Sequence, residues 1–195
     1  MPVEIEMRAR FTREDHDQLI SRLERDGEDL GCDDKRIYFY VLPEQLLKVT
    51  DNIAAGSAKI TLKGNKIGQG AAFPETEIAI AKDDVAAAVR IFNALGFEST
   101  MHRAYNQRRN FRFRGVEIAV KWSEAWGHHA EFEVLLGDDP SPAAKSEAGD
   151  RIAAVADELG VTLMTEAQLA EFTAAFEASE RARKEQPAGS AHSTA

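Results

Sequence analysis

Apolar and polar residues alternate without a break at the start of the chain. Val3, Ile5, Met7, Ala9 and Phe11 take one parity, and Glu4, Glu6, Arg8 and Arg10 take the other. Period two marks a strand with one apolar and one polar face. The polar face is unusual, because two carboxylates are followed by two guanidiniums. Carboxylates at i and i+2 project the same way roughly 7 Å apart, close enough to share a divalent cation or one ligand. The stretch also reads as a plain amphipathic edge strand, and the rest of the chain decides between the two.

The pattern then runs through alternating elements. Thr12 with Asp15 forms a capping box for a helix through Leu19, Ile20 and Leu23 that ends near Gly27. Residues 26–34 are Asp/Gly-rich and read as loop. Strands are expected over 36–42, 46–50, 58–63 and 75–80, with glycine-marked turns after Gly64 and at Gly68 and Gly70. Asp83 or Asp84 opens a helix that stops at Gly96. Residues 101–114 and 116–122 are strands, 126–129 is a turn, and 131–136 is a strand. Ser141-Pro142 opens a further helix ending near Gly160, and Thr165 with Gln168 caps the last one. One domain over 1–180 is expected, with a tail over 181–195 whose final ten residues have a disordered composition.

Composition narrows the function classes. The chain has 195 residues, 44% of them apolar, and a formal net charge of −9. That fits one domain with a sizeable core. The acidic balance argues against nucleic-acid and anionic-membrane partners. The single cysteine, Cys32, excludes an internal disulfide and a Cys-based zinc site. No apolar run has membrane-spanning length and no signal-peptide pattern opens the chain, so the cytoplasm is the expected location.

Most of the roughly eight strand candidates share one apolar and one charged face. The charged faces collect Glu4, Glu6, Glu75, Glu77, Glu117, Glu131 and Glu133. They also collect Arg8, Arg10, Lys48, Lys59, Lys63, Arg108, Arg112, Arg114 and Lys121. A flat sheet with helices on one side explains polar faces but does not require three Glu-x-Glu pairs. A closed antiparallel barrel with a polar tunnel and helices outside, an α+β fold, explains both. Clustered acids invite a hard cation such as Mg²⁺ or Mn²⁺, and the surplus of Arg and Lys invites phosphate oxygens.

The ordered motifs resemble those of the CYTH domain, the triphosphate tunnel metalloenzyme group that includes class IV adenylate cyclases and thiamine triphosphatases. Glu4-Ile5-Glu6-Met7-Arg8 resembles its Glu-x-Glu-x-Lys opening. Lys48 resembles the basic residue of its Leu-(Arg/Lys)-x-Arg strand, and Thr61-Leu62-Lys63-Gly64 its Thr-Leu-Lys-Gly strand. Glu75 and Glu77 resemble its central Glu-x-Glu. Leu95-Gly96-Phe97 falls where its middle helix ends, and Arg108 with Phe111 resembles its Arg-x-x-Tyr. Gly127 with Glu131-Phe132-Glu133 resembles its closing Gly…Glu-x-Glu. Four departures from the pattern stand out: Thr50 for a second arginine, Lys121 for a metal-side Asp, Arg36 for an Asp, and no basic residue at Phe73 or its neighbours before the central Glu-x-Glu.

The resemblance implies that Glu4, Glu6, Glu131 and Glu133 hold Mg²⁺ or Mn²⁺. Arg8, Lys48, Lys63, Arg108 and Lys121 would hold a triphosphate, with Glu4, Glu6 and Arg8 catalytic. Lys59, Glu75, Glu77, Arg10, Arg112 and Glu117 would line the tunnel. The ligand would be ATP, thiamine triphosphate or tripolyphosphate, and a homodimer is left open. A cyclase or a triphosphate phosphohydrolase is expected; the alternative is a tunnel that binds polyphosphate or nucleotide without turnover. Tyr38, Phe39 and Tyr40 are read as strand core, and His128-His129 as turn residues at a barrel mouth. The alternating run 103–114 fits a tunnel strand better than an RNA surface, since it offers no stacking platform.

Overall fold

The first strand, β1 (Pro2–Arg10), pairs antiparallel with two neighbours, as its two usable edges allow. The computed structural model describes residues 2–64 and 72–185, so the turn expected at Gly68 and Gly70 and the tail 186–195 lie outside the described residues. The order continues α1 (Arg13–Asp26), β2 (Glu28–Cys32), β3 (Lys35–Val41), β4 (Leu46–Asn52), β5 (Ser57–Lys63), β6 (Ala72–Ile80) and α2 (Val85–Phe92). It ends β7 (Met101–Phe113), β8 (Val116–Ser123), β9 (Gly127–Asp138), α3 (Pro142–Glu158) and α4 (Glu166–Glu185).

The strands form one curled antiparallel sheet in the order β2-β7-β3-β4-β5-β6-β1-β9-β8, and β7 also pairs with β8 over its second half. With four α-helices around it among the described residues, the fold is α+β. The described residues hold nine strands rather than about eight, because β2 forms where a loop was expected. Asp29 accepts the Gly31 N–H at 2.8 Å, Gly31 takes φ +91°, and this kinked segment is recruited by the free edge of β7. Such long-range pairing leaves no local signature.

His128 and His129 are likewise in a strand and not a turn. Gly127 takes φ +66°, which lets the chain reverse at once, and the two histidines pair opposite Trp122 and Lys121. The helix boundaries follow their caps. Thr12 Oγ1 accepts the Asp15 N–H at 3.2 Å and Ser141 Oγ accepts the Ala144 N–H at 3.1 Å.

Two apolar cores lie on the convex side. The larger gathers Val3, Ile5 and Ala9 of β1 with inner residues of β7–β9 under α1 and α3, including the fully buried Leu23, Phe111, Phe132 and Ile152. The smaller joins Tyr40, Leu47, Val49 and Ala58 to Val85 and Ala88 of α2. Tyr40 anchors it by donating its hydroxyl to Asn93 Oδ1 at 3.1 Å. Because side chains alternate, covering the convex face leaves every second residue of each strand on the concave face. Among the described residues no helix is long and apolar enough to cross a membrane.

Candidate functional site

The concave face is where the charges meet. Cross-strand pairing fixes who faces whom. Glu6 lies opposite Glu133, Arg8 opposite Glu131, and Arg108 opposite Lys121. Lys48 lies opposite Thr61, which in turn lies opposite Glu77, and Lys63 lies opposite Glu75.

Glu4, Glu6 and Glu133 each offer a carboxylate oxygen, and these oxygens lie within 4.8 Å of one another. Three hard oxygen donors at that separation fit Mg²⁺ or Mn²⁺, which accept carboxylates readily and keep waters in the remaining positions. The protonation of the cluster shows the strain of crowding acids together. Burial, together with the neighbouring Glu6 carboxylate, pushes Glu4 up to about 10. Burial acts on Glu6 as well, but the Arg8 guanidinium overrides it and holds Glu6 at about 2. Burial, with Glu131 and Glu6 adding to it, raises Glu133 against the pull of Arg108. The trio therefore shares protons, as like charges in a dry site must.

Lys63 bridges two acid pairs. Its Nζ lies 3.4 Å from Glu4, 3.3 Å from Glu6 and 2.6 Å from Glu75. Those carboxylates raise its pKa despite its burial. Lys48 is different: among the described residues it makes no ion pair at contact distance. Burial, aided by repulsion from Lys63, pulls it down to about 8.

Two residues along β9, Glu131 is wrapped in cations. Lys121 contacts its Oε2, Arg8 Nε lies 3.3 Å from Oε1, and Arg108 lies 3.8 Å from Oε2. Burial would raise its pKa, but Lys121, Arg8 and Arg108 together hold it well below the carboxylate range. Lys121 is itself buried, which lowers its pKa, with Glu131 opposing. The geometry is that of an ammonium–carboxylate pair. Glu131, expected among the metal residues, is not part of the three-oxygen cluster.

The structure thus brings together Glu4, Glu6, Arg8, Lys48, Lys63, Glu75, Arg108, Lys121, Glu131 and Glu133. It leaves others at the rims. Lys59 pairs with Glu77 at 2.6 Å, half exposed. Arg10 donates to the Trp126 carbonyl at 3.0 Å and stacks on Phe172 of α4 at 4.2 Å. Arg112 and Glu117 form an exposed pair at 2.8 Å, joined by Glu28.

Sequence reasoning missed two concave residues, Asp33 and His129. Asp33 accepts from Asn52 and Asn110 and pairs with Lys35 at 2.5 Å. His129 is buried and shares the parity of Glu131 and Glu133, a signal that was available. Burial, with Lys121 nearby, lowers it to about 4, so it is neutral, and its Nδ1 lies 2.9 Å from the Gly127 carbonyl.

No protein-family model matches the chain, and no curated protein matches it. Solved structures do. A conserved hypothetical protein from Pyrococcus furiosus is 24% identical with a TM-score of 0.65, covering 82% of this chain and 91% of its own. A candidate adenylate cyclase from Vibrio parahaemolyticus is 19% identical with a TM-score of 0.62, covering 85% and 91%. A candidate adenylyl cyclase from Hippeastrum, described as having a dominant triphosphatase activity, is 16% identical with a TM-score of 0.57, covering 84% and 90%. The chain has the fold of these adenylate cyclase-like and triphosphatase proteins, the triphosphate tunnel fold whose motifs its sequence resembles.

Proposed function

We propose that the chain is a divalent-metal-dependent enzyme acting on a triphosphate inside a closed strand tunnel. One juxtaposition carries this reading. Three carboxylate oxygens gather within 4.8 Å of one another, and the neighbouring Lys48 is a half-buried cation with no carboxylate at contact distance among the described residues. A buried unpaired cation is costly unless a ligand anion completes it. Closure is supported by the pairings, since β7 bonds to β3 over its first half and to β8 over its second. The names of the Vibrio and Hippeastrum neighbours point the same way.

Mg²⁺ or Mn²⁺ held by Glu4, Glu6 and Glu133 would supply a Lewis acid for phosphate oxygens and take up charge developing on them. Lys48, Lys63 and Arg108 bind and orient the phosphates. Arg8, fixed between Glu6 and Glu131, offers its remaining donors as a point of register. Glu6, Arg8, Lys63 and Lys121 are buried, and the low local dielectric strengthens each of these contacts. In the cyclase reading the 3′-hydroxyl gives up its proton and attacks the α-phosphorus, breaking the α–β bridge and releasing pyrophosphate; in the phosphohydrolase reading water attacks a terminal phosphorus, breaking its bridge and releasing orthophosphate and the shortened diphosphate. The same clamp serves both.

The second reading is a module that binds without turnover. The Lys121–Glu131 contact favours it, because it removes one acid from the metal side. Incubation of the full chain with ATP, thiamine triphosphate and tripolyphosphate, each with Mg²⁺ or Mn²⁺, separates the readings when run beside thermal shift. Turnover of any one supports the enzyme. Stabilisation without turnover selects the binding module, and neither effect with any ligand rejects both.

A further inference from the structure

A buried imidazole nitrogen lies away from the concave face. Glu131 and Glu133 face inward on β9, so His128 takes the opposite parity and the convex side, opposite Trp122 of β8. Its Nδ1 is buried and has no hydrogen-bond partner among the described residues. His16 of α1 meets it, with ring centroids 4.7 Å apart and planes inclined at 56°. The backbone fixes both sides of this contact. The Phe11 N–H donates to the His128 carbonyl at 3.2 Å, and the next residue, Thr12, accepts the His16 N–H on its own carbonyl at 3.1 Å. His16 is thus carried on the first turn of α1, with 14% of its side chain exposed.

The protonation of the pair suits metal ligands. His16 Nδ1 lies 3.0 Å from Asp17 Oδ1. That hydrogen bond, helped by Arg13 at 3.7 Å, holds the Asp17 carboxyl below its usual range, so Asp17 can only accept. His16 Nδ1 therefore donates, which leaves the ring's lone pair on Nε2. Burial, with His16 beside it, lowers the His128 pKa and keeps that ring neutral as well.

A buried nitrogen without a partner costs free energy that a ligand can recover. Imidazole suits Zn²⁺, Ni²⁺ and Cu²⁺ better than Mg²⁺. With metal–nitrogen bonds of about 2.0 Å at a tetrahedral angle, two imidazoles on one ion have centroids roughly 5 Å apart, close to the separation of these two rings. A ligating histidine commonly donates its other nitrogen to a carboxylate, and Asp17 supplies that carboxylate. Among the described residues, the one group of three mutually close carboxylate, imidazole or thiol donors is Glu4, Glu6 and Glu133. The histidine pair is separate from it, and water would complete its coordination.

We propose that His16 and His128 hold a borderline transition-metal ion, Zn²⁺, Ni²⁺ or Cu²⁺, through Nε2 and Nδ1. The ion pins the first turn of α1 to the start of β9. This site is independent of the acid cluster and of the triphosphate reading.

The test is calorimetric titration of the untagged full chain with Ni²⁺ in the presence of saturating Mg²⁺, which competes for the acid cluster. The native chain is compared with His16→Gln, with His128→Phe, which keeps a ring in the packing, and with Asp17→Ala. The native chain is expected to bind one Ni²⁺. Asp17→Ala should weaken that binding about tenfold, the scale of a lost outer partner, and each histidine variant should weaken it by more. Electron paramagnetic resonance of Cu²⁺ on the native chain needs no variant and should show coupling to two nitrogens. Absence of Ni²⁺ binding, binding that excess Mn²⁺ displaces, affinity unchanged in both histidine variants, or a Cu²⁺ spectrum without nitrogen coupling overturns the site.

Discussion

Glu131 and Glu133 sit two residues apart on one strand and one face, but they belong to two different regions. Around Glu133 the acids Glu4 and Glu6 outweigh a single cation, Arg108 at 3.7 Å, and its carboxyl is pushed toward the protonated form. Around Glu131 the neighbours are Lys121, Arg8 and Arg108, and its carboxylate is locked in the charged form. The same residue type on the same face thus joins an acid cluster in one place and serves as a counter-ion in the other. What decides is the residue opposite on the next strand. Glu133 has Glu6 across from it, whereas Glu131 has Arg8 across from it and Lys121 within contact. Lys121 makes direct contact with Glu131 in the second region, whereas in the first the nearest ammonium, Lys63, stands back at 3.4 Å from Glu4 and 3.3 Å from Glu6.

The largest effect should come from opening the filled region. Lys121→Met leaves Glu131 with only its two arginines and removes one partner of a buried pair, a change that costs about 3–5 kcal/mol. Lys121→Asp goes further and converts the region to an acidic one. The apo variant should melt below Lys121→Met, and Mn²⁺ should raise its melting temperature by more than it raises that of the native chain. A Lys121→Asp protein with unchanged Mn²⁺ response and lost tripolyphosphate binding would show that Lys121 clamps phosphate instead. The distinction between the two regions would then fail.

Next comes the open region. Glu133→Gln keeps the shape but removes one anionic donor from the three-oxygen cluster. Mn²⁺ affinity followed by electron paramagnetic resonance should fall by about 100-fold, with little change in apo melting, because Glu133 is a carboxyl that burial already disfavours in its charged form. Glu131→Gln should do the reverse. It should weaken the fold by stranding Lys121 and leave the Mn²⁺ affinity within a few-fold. Equal losses of Mn²⁺ affinity in both variants would merge the regions into one site.

How much of this could be read from the chain depends on distance along it. The parity of β1, β5 and β9 is local, so the Glu-x-Glu pairs and Lys63 were legible as face-sharing charges. Which charge meets which was not. The contact of Lys63 with Glu6 closes 57 residues and that of Arg8 with Glu131 closes 123. No window of local pattern contains either. Lys121 stood out only against the family resemblance, and its geometry vindicates attention to the departure rather than to the motif. Asp33 was hidden by the misread β2, since without that strand the Asp-rich stretch looks like solvated loop. Phe39 lies on the concave face opposite Lys48, but an aromatic among apolar neighbours reads as core.

The two regions should also titrate in opposite directions. Glu4 is raised to about 10 in the folded state, against a reference of 4.5. Between those values the native state binds the proton and the unfolded state does not, so stability falls as pH rises. Glu131 is depressed, so its contribution is complete above pH 4.5 and is lost only as pH falls below that. Lys48, lowered to about 8 from 10.5, adds stability as pH rises through that interval and offsets Glu4 there. Apo stability should therefore fall most clearly from pH 5 to 8, by at most about 1.4 kcal/mol per pH unit for one proton. Saturating Mn²⁺, which needs Glu4 deprotonated, should flatten the slope. Chemical denaturation across that range with and without Mn²⁺ measures both, and an apo profile that rises toward pH 8 would reverse the assignment of Glu4.

The smallest effect is expected at Arg112 and Glu117, which share the parity of the concave-face residues yet sit in water. Their pair is 2.8 Å long, as short as many interior ones, but both side chains are about half exposed, 45% and 55%. Water already solvates each ion, and salt screens what attraction remains. Glu28 gives Arg112 a second carboxylate, so loss of Glu117 leaves no stranded charge. Arg112→Ala and Glu117→Ala, alone or together, should shift melting by less than about 2 °C and leave Mn²⁺ and tripolyphosphate binding unchanged. The double variant should equal the sum of the singles, since a weak pair has little coupling to lose. Loss of ligand binding in either variant would extend the charged site to the rim. The sharp boundary between ligand-binding and counter-ion acids would then become a gradient along the whole face.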